Sequence, residues 1–302
     1  MVNNKLAITV VIPVRNEAAN ISKCLESVQF CERILVVDSG STDDTCELAE
    51  EKNAEVVQFC YGGCYPKKRQ WVLNNLDITT PWVLLLDADE QVPSALRQEI
   101  ELAISQEEIP GAFLITKGFH FMGQKFRHGG FSHSAVLLFK TGMARFERID
   151  LEETSGLDME VHERLLVDCP VAQLNTPLIH DDFKGLHAYL DRHNRYSCWE
   201  AAVRMRLLED QGGQNDERIK PSLFGNVQQR RRFLKKLAVR IPGEPWLWFF
   251  YHYIARLGFL EGRRGFIAST IRAQYISNVR AKIFERRLKH NSEKLIEPNH
   301  AQ

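Results

Sequence analysis

The chain has 302 residues, of which 44% are apolar, 26% charged and 10% aromatic. Those figures exclude a disordered chain, a collagen-like repeat and a disulfide-dense miniprotein. Lys+Arg and Asp+Glu balance at 39 each, so no global basic character advertises nucleic acid as a partner. The balance hides an asymmetry, because residues 220–289 hold sixteen Lys/Arg against three Glu (Glu244, Glu261, Glu285). That segment carries +13 and the rest of the chain −13, the pattern of a catalytic or binding body with a basic appendage for an anionic surface.

The first hundred residues alternate between strand and helix. The runs LAITVVIP (6–13), RILVVD (33–38) and WVLLLD (82–87) are continuously apolar and rich in Val, Ile and Leu, as parallel strands buried on both faces should be. Helices are expected between them over Asn20–Phe30, Ser41–Lys52 and Pro66–Leu76, with Ser41 or Thr42 as an N-cap and Pro66 and Pro93 in first turns. After Gly111 the candidates AFLITK, AVLLFK and ERLLVD are short and joined by loops rich in Gly, His and Arg, which reads as a mixed sheet. A long helix is expected over Phe183–Leu208, with Leu186, Leu190, Tyr196, Trp199, Val203 and Leu207 near one stripe. The polar, Gly-bearing 210–222 segment is the best linker, and basic, aromatic-rich helices follow it. The seven cysteines form an odd set without a C-x-x-C pair, so free thiols in a reducing cytosol are expected, although Cys60 and Cys64 could be joined. Neither a signal peptide nor the roughly 18-residue apolar run of a transmembrane helix is visible.

In an open parallel sheet, ligands bind outside the carboxyl ends of the strands. Three strands end in acid here: Glu17 just after the first, Asp38 at the second, and Asp87 with Asp89 after WVLLL. Residues two apart on an extended chain project to one side, so Asp87 and Asp89 can face one ligand. Paired carboxylates repel unless a cation or a shared proton lies between them, and a hard divalent ion is the economical answer. A dinucleotide redox site needs G-x-G-x-x-G after the first strand, and VVIPVRNE has no glycine. No G-x-x-x-x-G-K-[ST] loop occurs either. Acids at strand ends can hold a pyrophosphate through Mg²⁺ or Mn²⁺, and Asp38 could accept hydrogen bonds from a base or a ribose. Together these ask for a sugar nucleotide.

The segments VVIPVRNEAANISKCLESV, ILVVDSGSTDDT and WVLLLDADE, in this order and spacing, resemble glycosyltransferase family 2 with the GT-A fold. The later VHE, PLIHDDF and GFLEGRRGF resemble its lipopolysaccharide-core and capsule branch. The resemblance implies an α/β fold of GT-A, Rossmann-like type: a mixed, mainly parallel sheet with flanking helices, followed by a basic helical extension. Its expected boundaries are a GT-A domain over 1–210 (nucleotide half about 1–110, acceptor half about 111–210), a linker at 211–221, a basic aromatic-rich helical region at 222–290 and a tail at 291–302. The resemblance further implies that Pro13, Glu17 and Asp38, with Arg15 in the same motif, hold the nucleoside. Lys68 lies in a segment that often contacts the nucleotide. Asp87 and Asp89 match the D-x-D motif, with Asp89 the firmer metal ligand and Asp87 also reaching the ribose. His180 is placed to complete the metal shell or touch the diphosphate. Glu163 matches the general base, with Glu160 and Asp158 as neighbours that could hold that role, and His162 as a residue that could orient it. His128, His133, His193 and Arg195 could help neutralise a leaving diphosphate.

The expected activity is a metal-dependent, inverting hexosyl transfer, with Mg²⁺ or Mn²⁺, from a nucleotide sugar, a UDP-sugar foremost. The expected acceptor is a lipid-linked or cell-envelope glycan. The rivals are an inactive sugar-nucleotide-binding or membrane-docking subunit, and a sugar nucleotidyltransferase, which would need a Gly-rich phosphate loop that the first strand lacks. PWLWFFYHY (245–253) has six aromatics in nine residues, with Arg240, Arg256, Arg263 and Arg264 nearby. That composition suits peripheral attachment to an anionic membrane, at its cytoplasmic face, as well as it suits a packed helical subdomain.

Overall fold

The computed structural model describes residues 5–63, 65–106, 109–148, 158, 160, 163–180, 185–209, 222–224, 229–230, 233, 237 and 241–296. Contacts group the chain into two units. One comprises Met1–Phe126, Phe131–Glu147 and Leu157–Phe183; the other comprises Arg127–Gly130, Arg148–Gly156 and Lys184–Gln302.

The first unit opens as a β/α alternation: β1 (Leu6–Val14), α1 (Ile21–Ser27), β2 (Cys31–Asp38), α2 (Thr45–Glu51), β3 (Glu55–Gln58), α3 (Lys68–Asn75) and β4 (Trp82–Leu85). β5 (Glu90–Gln91), α4 (Ser94–Ile104), β6 (Ala112–Phe121), β7 (Gln124–Lys125), β8 (His133–Lys140), β9 (Ala144–Phe146), β10 (Leu165–Val167), β11 (Val171–Gln173) and β12 (Leu178–His180) follow. The main sheet runs β3-β2-β1-β4-β8-β6-β12-β5, with β7 and β11 also paired to β6. Its first four strands are mutually parallel, and β8 joins antiparallel to β4. The apolar runs do what their composition asks. Ile8, Val10, Val11 and Ile12 of β1 are fully buried, and α1 covers the sheet with Ile21, Cys24 and Leu25. Because β2 and β4 flank β1 on opposite sides, the strand order reverses at β1, which places a ligand crevice at the carboxyl ends of β1, β2 and β4.

Several local expectations are corrected. The second helix starts at Thr45 and not at Ser41, because Asp38 captures the Ser41 N–H and hydroxyl and holds 39–44 as a loop. Pro66 lies ahead of α3, whose N-cap is Lys67, and Pro93 is the N-cap residue of α4. The ERLLVD strand is shortened to β10 and pairs only with β9, as a separate two-stranded ribbon. Six cysteines are free thiols, while Cys64 lies outside the described residues.

The second unit contains α5 (Leu186–Glu209), α6 (Glu244–Phe250), a π-helical turn (Tyr251–Ala255), a 3₁₀ turn (Gly258–Glu261) and α7 (Gly262–Ile296). The expected apolar stripe of α5 is only partly its packing face. Leu186 and Leu190 are exposed, whereas Trp199, Glu200, Ala201 and Arg204 are buried. Arg204 pairs with Glu200 and Glu244, Glu244 also pairs with Arg280, and Tyr275 donates to Glu200 at 2.6 Å. This buried network links α5, α6 and α7, and every charge in it has an opposite partner, as burial requires. Residues 210–221 and 297–302 lie outside the described residues. Among those described, no helix is long and apolar enough to cross a membrane.

Candidate active site

The first two βα loops are laced together at the strand ends. Pro13 and Val14 are buried in register with Val37 and Asp38, and Arg15 emerges exposed. Asn16 then adopts positive φ, its N–H donates to Ser41 Oγ at 2.9 Å, and its Oδ1 accepts from the Thr42 N–H at 2.8 Å. The Glu17 N–H donates to Thr45 Oγ1 at 2.8 Å, and its carboxylate accepts from Asn20 Nδ2 at 2.8 Å. Asp38 accepts from the Gly40 and Ser41 N–H groups and the Ser41 hydroxyl. Burial pushes its carboxyl up, but these hydrogen bonds and one from Gln58 outweigh burial and hold it below the ordinary value. Pro13, Glu17 and Asp38 are thus brought together, with Arg15 at the exposed rim.

The two acids of D-x-D have different partners. One oxygen of Asp87 is held by the Arg69 guanidinium and the other by Lys117 Nζ at 2.6 Å, while its N–H donates to Glu90 Oε2 at 2.9 Å. Lys117 also reaches Glu90 at 2.7 Å. Burial opposes ionisation of Asp87, but Arg69 and Lys117 overcome it and hold the carboxyl far below the carboxylate range. Glu90, fully buried, is pushed up by burial, against the pull of Lys117. Asp89 Oδ2 instead lies 3.4 Å from His180 Nε2. Burial alone lowers the His180 imidazolium, and the Asp89 hydrogen bond and charge, with Glu90, lift it to about 9. Gly118 on β6 opposes Ile179, and a Cβ there would meet the Leu178 carbonyl oxygen at 2.9 Å. That close approach lets β12 lie tight against β6, with His180 at its end.

The start of α3 presents three consecutive buried cations, and each finds a different acid. Lys67 Nζ lies 2.6 Å from Glu163, Lys68 Nζ lies 3.1 Å from Asp158, and Arg69 takes Asp87. Lys68 also donates to the Val14 carbonyl at 2.8 Å, tying α3 to the end of β1. Burial lowers the Lys68 ammonium below its ordinary value, with Asp158 and Asp38 opposing the fall. Glu160 accepts from the Arg69 and Gln70 N–H groups at 3.2 and 3.0 Å, so its carboxylate satisfies the first donors of the helix. Glu160 and Asp158 are therefore bound into the architecture. Glu163, in the coil before β10, is held through the Lys67 side chain.

Sequence reasoning missed Lys67, Arg69, Glu90 and Lys117. No spacing rule joins a helix start, a strand end and the middle of β6, and the only available signal was the unusual KKR run ahead of a helix. His162 lies outside the described residues. His133 opens β8 opposite Lys117. His128, His193 and Arg195 belong to the second unit, where they meet Glu261, Tyr189 and Asp191.

Residues 9–109, which span the strand-end loops and D-x-D, match the family model described as glycosyl transferase family 2. The chain is a glycosyltransferase, and its likeness to family 2 lies in residues 9–109. It is 26% identical over 289 residues to the lipopolysaccharide core biosynthesis glycosyltransferase LpsC of Rhizobium meliloti, covering 93% of both chains. It is 37% identical over 95 residues to an uncharacterized glycosyltransferase of Rickettsia felis, 31% of this chain and 32% of that one. Among solved structures, a mannosyltransferase of Pyrobaculum calidifontis in complex with GDP-Man and Mn²⁺ aligns over 93% of this chain and 87% of its own, at 16% identity and a TM-score of 0.45. Glucosyl-3-phosphoglycerate synthase of Mycobacterium tuberculosis, in complex with Mn²⁺, UDP and product, aligns at 27% identity and a TM-score of 0.29. That alignment covers 38% of this chain and less than half of the synthase, 44%.

Among the described residues no three His, Cys, Asp or Glu side chains form a ligand set for one ion. Asp89 and His180 supply a carboxylate oxygen and an imidazole nitrogen side by side. Once the imidazolium gives up its proton, that pair would hold a divalent ion, and imidazole favours Mn²⁺ over the harder Mg²⁺.

Proposed function

We propose that this glycosyltransferase moves a hexose from a nucleotide sugar, a UDP-sugar in the first instance, to a lipid-linked or cell-envelope glycan, with inversion at the anomeric carbon. The observation that carries this reading is the convergence of Glu17, Asp38, Asp87 and the Asp89–His180 pair at the carboxyl ends of adjoining strands. Pro13, Arg15, Glu17 and Asp38 form the nucleoside end, with Lys68 beneath it. Asp87, ionised and clamped by Arg69 and Lys117, offers a fixed acceptor for sugar hydroxyls. Asp89 and His180 would hold a divalent ion, which when bound neutralises the diphosphate and the charge that develops on it as the sugar leaves. Glu163 takes the proton of the acceptor hydroxyl as that oxygen attacks the anomeric carbon. The relative named for lipopolysaccharide core biosynthesis supports a cell-envelope acceptor.

Attachment to an anionic membrane at its cytoplasmic face belongs to the same reading. Trp246, Leu247 and Phe250 of α6 are exposed, as are Ile254, Leu257 and Leu260 after it, and so are Arg256, Arg263 and Arg264. Large exposed apolar groups ringed by arginine suit a headgroup layer.

The test is release of nucleoside diphosphate from UDP-, GDP- and dTDP-sugars, with and without Mn²⁺. Release from one donor class, raised by Mn²⁺, is the expected result. Binding of nucleotide without release from any donor, with a lipopolysaccharide or lipid-linked glycan supplied, would identify a non-catalytic subunit instead.

A further inference from the structure

We propose that Lys67 is a positioning residue for the acceptor-activating carboxylate, so that the first residue ahead of α3 sets the transfer step. The inference rests on the reading of Glu163 as the base. Glu163 belongs to no strand or helix; β10 begins two residues later. Its Oε1 meets Lys67 Nζ at 2.6 Å, and both side chains are almost wholly shielded, at 4% and 6% exposure. An ammonium held this closely in a dry environment fixes both the charge and the direction of the carboxylate. Removing it takes away the ammonium that orients the carboxylate, which is then free to turn away from the position a base needs.

The location of Lys67 adds a second argument. It is the N-cap of α3, whose next two residues anchor elsewhere: Lys68 on the Val14 carbonyl and Asp158, Arg69 on Asp87. The same helix start is fastened by Glu160 through two backbone N–H groups. Lys67 therefore extends from a braced platform, and a side chain on such a platform can hold Glu163 where a loop alone cannot. One short segment thereby sets the geometry of both the D-x-D carboxylate and the base. Among the described residues, Lys67 and, through space, Glu160 are charged groups that act on Glu163.

The experiment is a double-mutant cycle on the full chain with Lys67→Met, Glu163→Gln and the pair, reading kcat, donor KM and UDP affinity. Lys67→Met is expected to lower kcat about tenfold or more while donor KM and UDP affinity stay within about twofold. In the Glu163→Gln background the same change should cost little, because the group it positions is already gone. Lys67→Arg should recover most of kcat. An equal loss of kcat in both backgrounds, or no loss in wild type, would overturn the positioning role. Glu163→Gln with wild-type kcat would instead overturn the base assignment itself, so the two failures are distinguishable. If Lys67→Met does not fold, Lys67→Gln serves in its place, and a Lys67→Arg variant as slow as the Gln variant would contradict the proposal.

Discussion

At the scale of single residues, the sequence announced the acids and was silent about the bases that hold them. Paired carboxylates after an apolar strand called for a cation, and the protein itself supplies two for Asp87, from α3 and β6. Those partners are 18 and 30 residues away and are joined only by the fold, so no local pattern could name them. Glu17, Asp38, Asp87 and Asp89 were legible because strand ends are legible. The choice among Asp158, Glu160 and Glu163 was not, since each finds its partner at the start of α3, far away in sequence. On the proposed reading of Glu163 as the base, Glu163→Gln is expected to keep donor binding and lose transfer by about 10²- to 10⁴-fold. Single-turnover kinetics beside a UDP titration check this; an unchanged rate would move the role elsewhere.

At the scale of elements, the long buried strands were readable and the short ones were not. β1, β2 and β4 announce themselves by unbroken apolar runs, whereas β5, β7, β9 and β11 are two or three residues long and exist through their pairing partners. The α2 start was misplaced for a related reason: Ser41 is a good cap in isolation, but Asp38 competes for its N–H and hydroxyl. Helix α3 depends on a side chain from far along the chain. Glu160→Ala should leave two buried N–H groups without their acceptor and lower stability by about 1–3 kcal/mol, read by urea unfolding. In the second unit, His252 donates through Nδ1 to the Gly129 carbonyl at 2.6 Å and stacks on Trp248. Burial lowers its pKa to about 4, with Arg272 and Arg256 adding to the fall and the Gly129 bond opposing it. The unfolded chain takes up this proton near pH 6.5, before the folded one does, so stability drops as pH falls from about 6.5 to about 4. His252→Gln should remove a contribution on the order of 3 kcal/mol from that slope. Unfolding free energies of both proteins across the window decide it, and parallel slopes would contradict the assignment.

At the scale of the whole molecule, charge was the most legible property and packing the least. The +13 of residues 220–289 was plain from composition, but which aromatics of 245–253 face outward was not. Trp248 is half-buried, donating to Glu244 and lying against Arg272, and Phe249 stacks on Tyr253, so neither can be removed without loss of packing. Trp246, at 68% exposure, Leu247 and Phe250 are among the side chains exposed to enter a headgroup layer. Salt screens the arginines and leaves the apolar contact intact. High salt should therefore release part of the protein from anionic vesicles and detergent the rest, while Ser at those three positions should abolish the salt-resistant fraction at unchanged melting temperature. Wild-type protein that does not sediment with anionic vesicles at low salt would rule this out.

If the strand-end acids receive a nucleotide sugar through a divalent ion held by Asp89 and His180, UDP binding depends on both the ion and Asp89. Calorimetric titration of UDP into the wild type and Asp89→Asn, each with and without Mn²⁺, tests it most directly. The expected result is binding by the wild type that Mn²⁺ strengthens at least tenfold, and binding by Asp89→Asn that is weak and indifferent to Mn²⁺ while the protein stays folded. Wild-type affinity for UDP unaffected by Mn²⁺, or an Asp89→Asn variant that responds to the ion as the wild type does, would contradict it.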